Sequence, residues 1–155
     1  MSFWMNRRVL ITGGASFIGS HLTDALVERG AKVRIVDDLS SGKLENIQHH
    51  LARGTVEFIQ ADLREPGVAR MAMRDIEIVF HLAADHGGRG YVDLHQAGPA
   101  SNLFLDGLIF WEALKAGGGE SRLRLFGLRL PELPAGRSPS GDLPHRGSGE
   151  AALRC

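Results

Sequence analysis

Short apolar runs and segments of helical periodicity alternate along the first 116 residues. Residues 8–12, RVLIT, form an apolar run that stops at Gly13 and Gly14, the pattern of a strand buried on both faces of a parallel sheet. From Phe17 the apolar positions Ile18, Leu22, Ala25 and Leu26 recur at helical spacing up to Arg29, and Gly30 stands where a helix C-cap belongs. KVRIVD at 32–37 and VEFIQAD at 56–62 predict the second and third strands, with LENIQHHLAR at 44–53 a short amphipathic helix between them. PGVARMAM at 66–73 predicts another helix, with Pro66 at its first position. IEIVFHLAA at 76–84 predicts the fourth strand. A polar, glycine-rich stretch, DHGGRGYVD, precedes a long helix from Pro99 to Gly117, where Leu103, Leu105, Ile109, Trp111 and Leu114 make a broad apolar surface. Gly107 inside it costs about 1 kcal/mol against alanine unless another backbone packs closely there. Strands alternating with helices predict an α/β fold: a parallel sheet in the spatial order 3-2-1-4, with helices on both faces.

The composition breaks at Gly117. The first 116 residues hold sixteen Val and Ile and the last 39 hold none, so the apolar material for another buried strand runs out there. The same 39 residues carry four of the six prolines, six arginines and no lysine. We therefore divide the chain into a folded portion, 1–117, and an irregular or non-native tail, 118–155. Eighteen basic residues balance eighteen acidic ones, which argues against nucleic acid or an anionic membrane as a partner. The lone cysteine, Cys155, excludes an internal disulfide framework, and the N-terminal apolar run is too short for a signal peptide core or a membrane span. A cytoplasmic protein is expected.

ITGGASFIGSHL follows the first strand and opens the first helix, the context that a dinucleotide-binding fingerprint requires. Gly13 permits the tight turn, and Gly19 lets the helix pack on the strand. The backbone N–H groups around Phe17 and Ile18 place a helix N-terminus at a pyrophosphate. Asp37 ends the second strand, where a carboxylate binds a ribose 2′-hydroxyl and repels a 2′-phosphate, which favours NAD over NADP. The alternative is a plain turn followed by a solvated strand end.

TGGASFIGSHL, VDDLSSGK, ADLR and VFHLAA, in that order, resemble the extended short-chain dehydrogenase/reductase superfamily, in particular its NAD-dependent nucleotide-sugar epimerases and dehydratases. The resemblance runs from Arg8 to about Gly117 and implies a partial Rossmann fold. LAADHGGRGYVDLHQ looks more like the GDP-mannose-type epimerases. The family's middle glycine is replaced by Ser16, whose side chain narrows the approach to the pyrophosphate and whose hydroxyl could also donate to it. The resemblance further implies that Asp37, Asp38, Leu39 and Ser40 surround the adenosine ribose and that Asp62 and Leu63 border the adenine. Leu82, Ala83 and Ala84 then pass beneath the cofactor, and Gly87, Gly88 and Arg89 face a nucleotide-sugar substrate. Arg89 as a solvated loop arginine is the competing account. His81 is read as a strand-end packing residue rather than a base. No metal site is expected, because His86 has no Cys or His at ligand spacing. In intact relatives the long helix often helps form a dimer, so a homodimer is a further expectation.

The family's chemistry uses a Tyr-x-x-x-Lys pair with a serine or threonine, because a tyrosine acts as a base only where a neighbouring cation lowers its pKa. The sole tyrosine, Tyr91, is followed four residues later by His95, so the pair is absent and no catalytic residue is assigned. The tail has a codon-level peculiarity. Read one nucleotide later, codons for residues 120–135 can encode SRVFASSACVYPNYLQ, and those for 145–154 can encode TEEAAKPPYA. Both strings resemble family segments, the first a strand with its serine and the second the approach to Tyr-x-x-x-Lys. A one-base frameshift near Gly117–Gly119 would account for both, and a lineage-specific tail is the alternative. The expected function is thus the NAD-binding part of an epimerase/dehydratase-like oxidoreductase, inactive alone, or else a non-catalytic NAD-binding module whose tail contacts a partner.

Overall fold

The computed structural model describes residues 2–85 and 97–116, together with a backbone strand at 124–127. Five strands form one parallel sheet: β1 (Arg8–Thr12), β2 (Lys32–Asp37), β3 (Val56–Gln60), β4 (Ile78–His81) and β5 (Arg124–Gly127). Their spatial order is β3-β2-β1-β4-β5. The connecting helices are α1 (Phe17–Glu28), α2 (Gln48–Arg53), α3 (Val68–Ala72) and α4 (Ala97–Ala116), with a 3-10 turn at Leu44–Asn46 before α2. The predicted order 3-2-1-4 stands, and the sheet is one strand wider.

Strand alternation sorts the apolar residues into two cores. Val9, Ile11, Val33, Ile35 and Ile78 face one side, where Leu26 of α1 and Ile47 pack on them. Leu10, Val36 and Val79 face the other, under Ala69 and Ala72 of α3 and Leu105, Ile109 and Ala113 of α4. Helices on both faces explain why these strands are nearly continuous apolar runs rather than alternating ones. Trp4 packs against the first core and lies 6.1 Å from the Phe80 ring. Helix α1 ends in a paired cap: Gly30, at φ 84°, donates to the Val27 carbonyl and Ala31 to that of Leu26.

Three predicted elements differ in detail. The segment 44–53 is broken at Ile47, whose backbone leaves the helical region (φ −120°, ψ 3°) as its side chain goes fully into the core. Pro66 is not the first position of α3: the chain reverses at Gly67, at φ 85°, and the helix starts at Val68. Finally, β4 is not the sheet edge that the order 3-2-1-4 implies. Residues 124–127, RLFG, lie within the tail assigned as irregular, yet they pair with β4 in parallel from Ile78↔Arg124 to His81↔Gly127. The period-two alternation of SRLRLFGL suits an extended backbone even without Val or Ile.

On α4 the buried Leu105, Ile109 and Ala113 lie opposite a stripe of exposed apolar residues: Leu103, Phe104, Phe110, Trp111 and Leu114. Beyond the adjoining backbone of α4 and the two neighbouring residues, no described atom comes within 4 Å of a Cβ built at Gly107, so close packing against another described element does not account for that glycine.

A buried polar chain fastens β1, β4 and α4 together. The Thr12 hydroxyl oxygen accepts from the backbone N–H groups of Leu82 and Ala83, each at 3.1 Å. Both of its lone pairs are then used, and its proton must go to His81 Nδ1, 2.6 Å away. His81 therefore carries its own proton on Nε2 and donates it to Asp106 Oδ1 at 3.0 Å. His81 is a packing and tethering residue at the strand end. Burial lowers its pKa despite the nearby Asp106 carboxylate, so the neutral imidazole is the stable form.

The unfolded chain protonates this histidine near the ordinary value of 6.5, whereas the folded chain resists it. Its contribution to stability is thus complete above that pH and is lost as pH falls toward the depressed folded value. The loss of stability between about pH 7.5 and 5.5, measured by urea unfolding, is expected to be smaller in His81→Gln than in the parent. An unchanged difference between the two pH values, or a 15N spectrum showing His81 protonated on Nδ1, contradicts the assignment.

Candidate functional site

The turn between β1 and α1 is built where side chains do not fit. Gly13 has φ 69°, and a Cβ there would stand 2.9 Å from the Ala83 nitrogen and 3.0 Å from the Leu82 carbonyl carbon. At Gly14 a Cβ would meet the buried Ile35 side chain at 2.6 Å, and at Gly19 it would collide with the Gly13 carbonyl oxygen. The glycines therefore let the turn lie on the ends of β1, β2 and β4 at once. Ser16 caps α1: its hydroxyl donates to the Gly13 carbonyl at 2.6 Å and accepts from the Gly19 N–H at 3.3 Å. That proton is committed inside the turn. The N–H groups of Phe17 and Ile18, the first two of the helix, have no acceptor among the described residues. Both side chains are largely exposed, and the helix end is open to an anion.

The opposite wall is acidic. Asp37, at the end of β2, is buried, and its carboxylate is fixed from two sides. Oδ2 accepts from the Ala15 N–H of the glycine turn and Oδ1 from the Leu39 N–H, both at 2.9 Å. A carboxylate offers about four acceptor positions, so roughly two remain. Gly42 runs against this carboxylate, where a Cβ would come within 2.7 Å of Oδ1. Asp38 Oδ1 is held by the backbone N–H and the hydroxyl of Ser40 at 2.9 and 2.6 Å. Asp62 grips Arg64 with both oxygens, the shortest contact being 2.7 Å. This hydrogen bonding holds the Asp62 carboxyl below its ordinary pKa and raises that of Arg64.

The floor is the chain leaving β4. Leu82 and Ala83 run beside Gly13, Ala84 follows along the cavity, and Asp85 is clamped to α4 by Asn102. The Asp85 N–H donates to Asn102 Oδ1 at 2.7 Å, and Asn102 Nδ2 donates to the Asp85 carbonyl at 2.8 Å. Turn, wall and floor enclose a cavity of about 410 Å³. It is lined by Gly13, Ser16, Asp37, Asp38, Ser40, Asp62, Leu63, Leu82, Ala83 and Ala84 of the sequence-derived set. Four members of that set do not line it. Phe17 and Ile18 stand outside at the exposed helix end, and Gly19 is buried beneath the turn. Leu39, at φ 62°, packs against the core on the α1 side. Gly87, Gly88 and Arg89 lie outside the described residues.

Sequence reasoning missed Arg64, Asp85 and Asn102, which also line the cavity. Arg64 was legible in principle, because an acid two residues before an arginine can close a local turn. Asn102 carried a weaker signal, a lone amide in the apolar opening of a long helix.

The NAD dependent epimerase/dehydratase family matches residues 9–97. Among curated relatives, UDP-glucuronic acid decarboxylase 2 of Arabidopsis thaliana is 41% identical over 76 residues, 49% of this chain and 16% of that protein. Two solved structures share the fold. The UDP-N-acetylglucosamine 4-epimerase of Methanobrevibacter ruminantium, in complex with UDP-N-acetylmuramic acid, aligns with a TM-score of 0.65 at 33% identity, over 73% of this chain and 36% of that one. The UDP-glucose 4-epimerase of Thermus thermophilus, in complex with NAD, aligns with a TM-score of 0.62 at 34% identity, over 71% and 34%. The chain thus spans about a third of these structures and less of the curated relative. No helix among the described residues is long and apolar enough to cross a membrane. The match to the family covers more than half of the sequence, and this chain belongs to the NAD dependent epimerase/dehydratase family.

Proposed function

We propose that this chain is the NAD-binding part of a nucleotide-sugar epimerase/dehydratase-like protein and that it performs no turnover by itself. The observation that carries the proposal is Asp37, a buried carboxylate fixed by two backbone N–H groups on the wall of the cavity, with acceptor capacity left over. The residues present fit the adenosine and pyrophosphate half of the cofactor. At the helix end beside the cavity, the N–H groups of Phe17 and Ile18, which have no acceptor among the described residues, would receive the pyrophosphate, while Asp37 accepts from ribose hydroxyls and Asp62 with Leu63 borders the adenine. NAD supplies hydride transfer when bound; this chain's own residues bind and orient it. A 2′-phosphate would face four aspartates and one arginine, Arg64, already engaged by Asp62. By the family resemblance we assign Gly87, Gly88 and Arg89, which lie outside the described residues, to a nucleotide-sugar substrate; the relatives named act on UDP-sugars, and the likeness of LAADHGGRGYVDLHQ points to a GDP-sugar.

Inactivity follows from the missing Tyr-x-x-x-Lys pair, without which no base has its pKa lowered for proton removal. We attribute the tail to a one-base frameshift, supported by the composition break and by two segments compatible with one shifted frame. Sequencing codons 115–125 and the downstream frame is expected to show an open run ending in Tyr-x-x-x-Lys; its absence rejects the frameshift. We assign the exposed stripe of α4 to contact with a second copy of the chain, supported by five large apolar side chains exposed together on one helix face. With one cysteine and no net charge, we place the protein in the cytoplasm, bound to neither nucleic acid nor membrane.

Calorimetry with the full chain is expected to give NAD and ADP-ribose affinities within a few-fold of each other and NADP at least about tenfold weaker, roughly 1.4 kcal/mol. Asp37→Asn should weaken NAD by at least about tenfold, because a charged acceptor is lost at a buried site. Equal affinity for NAD and NADP contradicts the role of Asp37. In parallel, UDP-glucose and GDP-mannose incubated with the chain and NAD should show no epimerised product, and measurable product overturns the inactivity.

A further inference from the structure

Away from the cavity, α1 and α2 meet at three potential metal ligands. Asp24 of α1 and the adjacent His49 and His50 of α2 each offer one ligand atom, and these atoms all lie within 4.8 Å of one another. His49 Nε2 is 2.9 Å and His50 Nε2 2.8 Å from the same oxygen, Asp24 Oδ1. The two imidazole rings lie 4.1 Å apart, inclined at 39°, so both present their Nε2 edges toward α1. Burial works to raise the Asp24 pKa, and the hydrogen bonds from His49 and His50 outweigh it, so the group is held below its ordinary value as a carboxylate.

From this geometry we propose that Asp24, His49 and His50 form a site for a divalent transition metal of the zinc or cobalt type. Two imidazoles with one carboxylate match the borderline-soft preference of such ions, which take nitrogen and oxygen at about 2.0–2.2 Å. At those bond lengths tetrahedral donors stand about 3.3 Å apart, so each histidine nitrogen needs to draw back from Asp24 Oδ1 by roughly half an ångström while the two nitrogens, within 4.8 Å of each other, settle to the same spacing. The protons now shared with Asp24 need not leave the protein. Each imidazole can move its proton from Nε2 to Nδ1, freeing the Nε2 lone pair for the metal. For His50 a receiver is already present: Nδ1 lies 2.8 Å from Thr55 Oγ1, whose own proton can turn to the His50 carbonyl at 3.4 Å. A ring nitrogen held in this way is the usual outer support of a ligating histidine. His50 is buried, whereas the His49 and Asp24 side chains are 46% and 42% exposed. The fourth position is thus left to water on the open side. The metal would clip α2 to α1 and steady the chain between β2 and β3, which carries Asp38 and Ser40. Sequence spacing hides the site, because its halves are 25 residues apart and the two histidines are adjacent rather than a helical turn apart.

Calorimetric titration of the EDTA-treated full chain with zinc sulfate tests this, alongside cobalt chloride followed by visible absorption. One saturating equivalent is expected, with tetrahedral cobalt bands and a rise in unfolding temperature on binding. His49→Ala, at an exposed position, should keep the circular dichroism of the parent and lose at least about tenfold in zinc affinity. Thr55→Val should weaken binding by about tenfold while leaving all three ligands in place. Absence of binding by the parent overturns the proposal, as does binding unchanged in His49→Ala, which would point to another histidine or to Cys155. In those cases the trio is a hydrogen-bonded knot only.

Discussion

The ends of β1 and β4 come so close together that only a glycine fits between them, and the rest of the site depends on that contact. Gly13 has no room for a Cβ against the Leu82–Ala83 backbone, and one residue earlier the Thr12 hydroxyl collects the N–H groups of that same stretch. The Leu82 N–H also reaches the Thr12 backbone carbonyl at 3.2 Å, but the Ala83 N–H has the Thr12 hydroxyl as its acceptor, and an unpaired donor at the end of the sheet would be costly. Because Thr12 uses both lone pairs on them, its proton fixes the His81 tautomer, and His81 in turn reaches Asp106 on α4. One hydroxyl thus aligns two strands and a helix. The crevice of such a sheet opens where the strand order reverses, between β1 and β4, and this is the joint that Thr12 closes from below.

From that joint the rest of the pocket follows by short steps. The glycine turn must bend sharply over the strand ends, and Ser16 closes it by capping α1 on the Gly13 carbonyl. Capping uses one helix N–H and leaves those of Phe17 and Ile18 without an acceptor among the described residues. Asp37 then ties the turn to β2 through the Ala15 N–H, so the acidic wall and the N-terminal end of α1 are braced against each other. The carboxylate that braces the turn keeps acceptor capacity beyond its two backbone bonds, so under the proposed function its identity serves structure and binding together.

The strands were largely legible because β1, β2 and β4 are buried on both faces and so appear as uninterrupted apolar runs. The glycine turn and Asp37 were legible because their spacing follows from the length of one strand–turn–helix–strand unit. What escaped the sequence depends on tertiary position. Ile47 breaks a helix because the core claims its side chain, and Gly67 reverses the chain where Pro66 suggested a start. The family resemblance puts Leu39 with the residues around the ribose, but its left-handed backbone goes with a side chain packed on the α1-side core. Asn102 pairs with Asp85 across 17 residues, a distance that no local pattern encodes. The strand at Arg124–Gly127 was lost because composition argued against it, while the sheet offers β4 as a template for any extended segment within reach.

The central claim is that this chain holds the adenosine and pyrophosphate end of NAD and leaves the nicotinamide end without its catalytic partners. Saturation-transfer difference NMR on the full chain with NAD tests it most directly, because each end of the cofactor reports separately. The account predicts strong transfer to the adenine and adjacent ribose protons and little to the nicotinamide protons. Equal transfer at both ends, or stronger transfer at the nicotinamide, would contradict it.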